Sequence, residues 1–228
     1  MSATPPDAAP PSAVRRPADN FKGIFWVIVS GLCFVVMAAI VRYLGSDLSP
    51  FQTAFIRYLI GLAILTPLVL FLDFGGLRRA RYGLHLVRGI VHSVAVLCWF
   101  YAMARLPIAE VTALLFTAPI FTTIGAAIFF GERLHAHRIG AAIAGLLGAI
   151  IVLRPGFEII QLGSIAMLIA APSFAISNLI AKRLTESEGT TVVVAVLTLL
   201  VTLMLVPAAL MVWRLPTPVE LAGLAVLA

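Results

Sequence analysis

The sequence predicts an all-α integral membrane protein. It is an inverted 5+5 helix repeat, ten spans when complete, here with seven full spans plus the start of an eighth. Three observations carry that prediction. Hydrophobic residues make up 61% of the chain and charged ones only 11%, with a mean hydropathy of +1.08. The apolar residues gather in runs of about 18 or more, enough at ~1.5 Å per residue to cross a ~30 Å hydrocarbon core. The chain also matches itself when slid along by about 140 residues, Gly23 falling on Gly163.

Taken in order, residues 1–20 hold five of the 14 prolines together with alanine, serine and two arginines. Such a stretch cannot bury a core and reads as a disordered cytoplasmic tail. It does not read as a signal peptide, because Arg15 and Arg16 precede a span too long for an h-region and no cleavage site is evident. Seven spans follow, near Lys22–Tyr43, Pro50–Leu72, Leu84–Ala104, Ile108–Phe130, Ile139–Leu153, Leu162–Ala181 and Thr190–Val212. Short loops make neighbouring spans antiparallel. An eighth begins at Val219 and stops at Ala228, too few residues to cross a bilayer as a helix, so the chain reads as a fragment.

The fourth and fifth spans form a hairpin. Ile108–Phe130 carries one acidic group, Glu110, near its start; Gly131-Glu132-Arg133 breaks the run. Ile139–Leu153 is shorter and carries Gly140, Gly145 and Gly148, small residues that let helix backbones press together where lipid supplies no hydrophobic drive. Arg154-Pro155-Gly156 ends it.

Basic residues set the orientation. With the N-terminus in the cytoplasm, Arg15, Arg16, Lys22, Arg78, Arg79, Arg81, Arg133, Arg138, Lys182 and Arg183 lie inside. Arg42, Arg105, Arg154 and Arg214 lie outside, with Arg57 and Arg88 within spans. That asymmetry is the positive-inside bias of a multi-pass protein of the cytoplasmic, or inner, membrane. The same spread over short loops accounts for a pI near 10 without a nucleic-acid partner.

The internal match aligns the first two spans with the sixth and seventh without a gap. Phe34 meets Phe174 and Ile40 meets Ile180, while Arg42 meets Lys182 and the helix-interior Pro67 meets Pro207. Leucine matches come cheaply in apolar helices, so the paired prolines and bases are the informative ones. Five spans separate the copies, and five is odd, so the second copy enters from the opposite side. Many secondary transporters use such inverted repeats.

Enzyme motifs are absent: there is no His-Glu-x-x-His, no Gly-rich phosphate loop and no serine elbow. His135 and His137 lack acidic or thiol partners at metal spacing, so no metal and no cofactor are expected. Cys33 and Cys98 fall inside apolar spans and read as small buried hydrophobes.

Together these features resemble the EamA-domain branch of the drug/metabolite transporter superfamily. The resemblance is carried by Thr117-Ala118-Pro119-Ile120-Phe121, Gly131-Glu132-Arg133-Leu134, then Gly140, Gly145, Gly148 and Arg154-Pro155-Gly156. Arg57 and the Arg88-Gly89 pair also resemble family positions. The resemblance implies a first repeat over residues 21–156 and a second, truncated repeat over 157–228. It implies small organic substrates such as amino acids, nucleoside-like or vitamin-like compounds, or drugs, without selecting among them.

The third span is the most informative for a substrate path. At 100° per residue Arg88, His92 and Trp99 share a face, and ionisable groups inside a span generally face the protein interior or water. The bland alternative has Arg88 snorkelling to the headgroups and Trp99 resting at the outer interface. Arg57, two turns into the second span, either neutralises an anionic substrate group or holds a structural hydrogen-bond network. Glu110, Thr117 and Phe121 share a face of the fourth span, although a first-turn carboxylate is also what the helix dipole favours. Glu132 reads as a helix lock at the cytoplasmic end. In the first span Trp26 and Ser30 share a face, and the repeat relates them to a small, polar face of the sixth that includes Ser173 and Ser177. Two such faces suit a central cavity.

The sequence therefore predicts a secondary transporter of a small organic metabolite, working by alternating access, whose partners are the substrate and the lipid bilayer. A homodimer is compatible with it. The alternative is a truncated, non-transporting membrane scaffold or assembly partner.

Overall fold

The computed structural model describes residues 17–44, 48–72, 78, 80–131, 139–140, 143–145, 147–148, 151 and 162–227. Regular secondary structure among these is helical, and eight helices are delimited within it: α1 (Pro17–Leu44), α2 (Pro50–Leu72), α3 (Tyr82–Met103), α4 (Ile108–Leu115), α5 (Ala118–Phe130), α6 (Leu162–Thr185), α7 (Thr190–Leu210) and α8 (Pro218–Leu227). Five stretches, Gly23–Ile40, Tyr82–Met103, Ile108–Phe130, Leu162–Thr185 and Thr190–Leu210, are long and apolar enough to cross a membrane. Their limits lie within a few residues of the expected spans because hydropathy alone dictates them. The fifth expected span lies largely outside the described residues, as do Glu132 and the tail to residue 16; Gly140, Gly145 and Gly148 are described and helical.

Contacts divide the chain into two units, Met1–Met37 and Ala38–Ala228. The first holds most of α1, which starts at Pro17, inside the stretch expected to be tail. A proline suits that first helical position, since its fixed φ is helical and no N–H is needed there. The side chains that α1 exposes are mostly large and apolar, Phe21, Ile24, Phe25 and Trp26 among them, as a lipid environment permits.

In the second unit α3 packs most extensively on α6, and α2 on α7; α7 also meets α3, and α8 meets α2. Both partners of the α3–α6 pair bury small residues: Ala95 and Ala102 on one, Gly163, Ala166, Ala170, Ala171 and Ala175 on the other. Dispersion between closely approaching backbones holds helices together where lipid tails are as apolar as leucine. Gly163 shows how tight the approach is. A Cβ there meets three atoms of the fully buried Leu106 at 2.8, 3.1 and 3.2 Å.

The fourth span corrects one expectation. Ile108–Phe130 is two helical segments rather than one 23-residue helix, parted at Phe116-Thr117. Pro119 has no N–H to give the carbonyl four residues back, so the ladder tightens. Thr117 N–H and Thr117 Oγ1 both turn to Leu114 O, at 3.1 and 2.6 Å. Both junction residues keep right-handed helical backbone angles, which makes the break a pinch rather than an unwinding. Gly131, with φ 64°, closes α5 in the left-handed conformation that favours glycine.

Candidate functional site

The buried face of α3 is a single seam, His85, Arg88, Val96, Trp99 and Met103, with the half-buried His92 at its centre. Steps of three or four residues keep one helical face turned to α6 and α7.

His92 joins three spans. Its Nε2 lies 3.1 Å from the Tyr58 hydroxyl on α2, and its Nδ1 2.9 Å from Ser177 Oγ on α6. A neutral imidazole donates from one nitrogen and accepts at the other, so the relay can run in either direction. Aromatic edges frame the ring: Phe174 at 5.4 Å and 76°, Tyr58 at 6.4 Å and 81°. Ser177 is fully buried. His92 lies about ten residues, or ~15 Å, into a helix of ~33 Å, close to its midpoint.

One turn away Arg88, 7% exposed, donates from Nη1 to Val193 O on α7 at 3.0 Å. Another turn back, the fully buried His85 places Nε2 2.8 Å from Glu188 Oε2 in the α6–α7 turn, whose Oε1 accepts from Arg81 N–H at 2.8 Å. This clasp closes one end of the bundle. At the other end the Gln52 amide pairs with the Arg214 backbone, accepting its N–H at 3.1 Å and donating to its carbonyl. Arg214 also holds Glu220. Glu220 takes the Thr217 N–H at 2.6 Å, and its own N–H reaches Thr217 Oγ1 at 3.4 Å: a capping box that starts α8.

The structure thus gathers Arg88, His92 and Ser177 of the residues the sequence singled out. Arg57 stands half-buried with its guanidinium carbon 5.1 Å from the Tyr58 ring centroid. Trp99 is buried, with its ring edge-on to Phe100 at 4.9 Å. Ser173 returns its hydroxyl to Ile169 O at 2.8 Å, within its own helix. Glu110 is half-buried in the first turn of α4, Thr117 is tied to Leu114 O, and Phe121 is 40% exposed. Glu110 and Phe121 lie on either side of the pinch, with Thr117 within it. Trp26 and Ser30 are exposed residues of the first unit. Pro119 opens α5 and Gly131 caps it.

Tyr58, His85 and Glu188 were not anticipated. His85 carried a signal, since it precedes His92 by seven residues and shares its face. A groove of about 390 Å³ lined by Phe129, Phe130, Leu179, Ile180 and Arg183 lies between α5 and α6. Cys33 and Cys98 are free. No group of His, Cys, Asp and Glu among the described residues could hold a metal.

Comparison with known proteins supplies the family. The sequence profile of the EamA-like transporter family matches residues 21–154. An S-adenosylmethionine uptake transporter of Rickettsia bellii is 29% identical over 205 residues, 90% of this chain and 70% of that one. A riboflavin transporter of Vibrio cholerae is 29% identical over 199 residues, 86% of this chain and 67% of that protein. A solved crystal structure shares the fold over 86% of this chain and 71% of its own, with a TM-score of 0.65 at 17% identity.

Proposed function

The chain belongs to the EamA-like transporter family, and from that premise we propose that it is a secondary transporter carrying a small organic metabolite across the cytoplasmic membrane by alternating access. Its relatives are named as transporters of small molecules, and the chain is a multi-pass membrane protein rather than an enzyme. The observation that carries the finer reading is the Tyr58–His92–Ser177 relay. It sets a polar, hydroxyl-rich contact among α2, α3 and α6 near mid-membrane, where an unused polar group costs several kcal/mol, on the order of a lost hydrogen bond in an apolar medium. Transporters of this kind hold substrate near the midplane, between repeats.

The contact pattern supports two inverted repeats. An axis in the membrane plane that exchanges the second span with the seventh also exchanges the third with the eighth. It requires the α3–α7 contact to have a counterpart between α8 and α2, and both contacts are present. The two clasps follow the same relation, since His85 lies near the start of α3 and Glu220 near the start of α8. On this reading the N-terminus is cytoplasmic, the His85–Glu188 clasp faces inward and the Gln52–Arg214–Glu220 clasp faces outward. Substrate passes as one clasp opens while the other holds. Residues 21–156 form the first repeat and 157–228 belong to the second.

An untargeted comparison of metabolites inside and outside cells, with and without expression of the protein, tests the proposal. One compound class shifting across the membrane is the expected result, and its sign gives the direction. No shift from correctly inserted protein overturns it.

A further inference from the structure

We propose that the carried molecule bears an anionic group, a carboxylate or a phosphate, and that Arg88 is the residue that binds it. This rests on the transport reading above and names the substrate class of that site.

The argument starts from an imbalance. Arg88 lies within a span, 7% exposed, yet among the described residues it has no carboxylate partner and makes a single hydrogen bond, from Nη1 to Val193 O. Its Nε is buried without a partner. The edge formed by Nε and Nη2 is the one that meets a carboxylate or phosphate side-on with two parallel bonds. That edge is unused. One turn away on the same face, His85 Nδ1 is also buried without a partner, while Nε2 of the same ring is engaged by Glu188. Buried polar atoms are nearly always satisfied, so the open guanidinium edge of Arg88 marks a place for an acceptor; His85 Nδ1, an acceptor in the neutral ring, does not bear on that group's charge.

The missing group is negative. Polar groups within electrostatic reach of Arg88 include the Tyr58 hydroxyl and the His92 imidazole, with the Arg57 guanidinium against the Tyr58 ring. None carries negative charge near pH 7. The described carboxylates stand at helix ends instead: Glu110 opens α4, Glu186 and Glu188 lie in the α6–α7 turn, and Glu220 opens α8. Glu188 is already occupied by His85 and Arg81 N–H. Snorkelling into open headgroups does not describe Arg88, because its guanidinium is buried against a carbonyl in the first turn of α7. An arriving anion neutralises a charge that is otherwise costly in this surrounding, and it does so just inside the His85–Glu188 clasp.

The test compares molecules that differ only in the anionic group: phenylalanine against phenylalaninamide, adenosine monophosphate against adenosine, and flavin mononucleotide against riboflavin. Transport of each pair is measured in cells expressing the protein, alongside the untargeted metabolite comparison. The expected result is that the compounds moved are carboxylates or phosphates, the neutral mates moving about tenfold to a hundredfold less, as losing a charged hydrogen-bond pair implies. The pairs separate carboxylate from phosphate. Arg88→Gln is expected to abolish that preference, and Arg88→Lys to retain part of it. Compounds moved without regard to charge, or a preference unchanged in Arg88→Gln, overturn the inference while leaving transport standing. No compound moved by the unmodified protein overturns both. Should Arg88→Gln fail to insert, the charge preference of the unmodified protein decides alone.

Discussion

Replacing His92 with alanine probes the relay directly, and its cost can be worked from the contacts. The substitution removes the bonds to Tyr58 and Ser177, which average about 0.6 kcal/mol each for side-chain pairs inside membrane proteins. It strands the Ser177 hydroxyl, fully buried, at about 1 kcal/mol; the low end of the range applies because a helical serine can turn back to its own helix, as Ser173 does. Losing the ring edges at Phe174 and Tyr58 adds about 0.5 kcal/mol apiece. The sum is about 3 kcal/mol. For a chain of this size that lowers the midpoint of thermal unfolding by about 6–12 °C, read on purified protein in detergent. Tyr58→Phe and Ser177→Ala each remove one bond, so double-mutant cycles with His92→Ala should return coupling energies near 0.6 kcal/mol or somewhat above. His92→Gln, which can still donate and accept, should recover part of the loss. A midpoint shift under about 1 °C, with both couplings at zero, would refute the claim that the relay links the three spans. Transport should fall in His92→Ala while membrane insertion persists; normal transport removes His92 from the path.

The other expectations are more local. Trp99→Ala should lower transport without preventing insertion, measured by whole-cell flux beside surface labelling; unaffected flux leaves Trp99 as packing against Phe100. Gly163→Ala should destabilise by about 1–3 kcal/mol, since its Cβ meets Leu106 at 2.8 Å and Leu106 is fully buried, whereas Gly83→Ala meets nothing within 4 Å and should leave the melting midpoint unchanged or slightly raised. Glu188→Ala removes the partner of a fully buried histidine and should cost about 3 kcal/mol, with hydrogen exchange rising first at the start of α3 and in the α6–α7 turn. Exchange rising uniformly instead would mean the clasp is not a separate unit.

How much of this was legible in the sequence depends on the range of the physics involved. Span limits follow from local hydropathy, so Thr190 and Leu162 mark helix starts in both readings. The Arg88–His92–Trp99 face follows from helical period alone, and its burial is what that period implies. The pinch at Phe116-Thr117 was readable from Pro119, whose missing N–H sits in mid-span, but the apolar run on either side outweighed it. Likewise Thr217-Pro218-Val219-Glu220 is a capping-box pattern with proline in the first helical position, a start signal for α8 more specific than hydropathy.

What the sequence does not disclose is pairing at long range. Tyr58 and His92 are 34 residues apart, His92 and Ser177 85, His85 and Glu188 103, Gln52 and Arg214 162. Nothing local says that these groups meet. A charge within a span announces itself because of its cost, so Arg57 drew the reading that belongs at least as much to its neighbour Tyr58. A tyrosine in a membrane helix is unremarkable until a histidine from another span faces it. The proposed inverted repeat is the one sequence feature that bears on such pairing, because a twofold relation would fix which helices meet in equivalent ways. It relates α3 to α8 and the turn after α6 to the turn before α2. From that relation, a bond closing one end of the bundle at the start of α3 calls for a counterpart at the start of α8. Glu220, held by Arg214 beside Gln52, stands where that counterpart belongs. Each clasp turns on a glutamate, Glu188 against His85 in one and Glu220 against Arg214 in the other, and position under the proposed repeat is what links them.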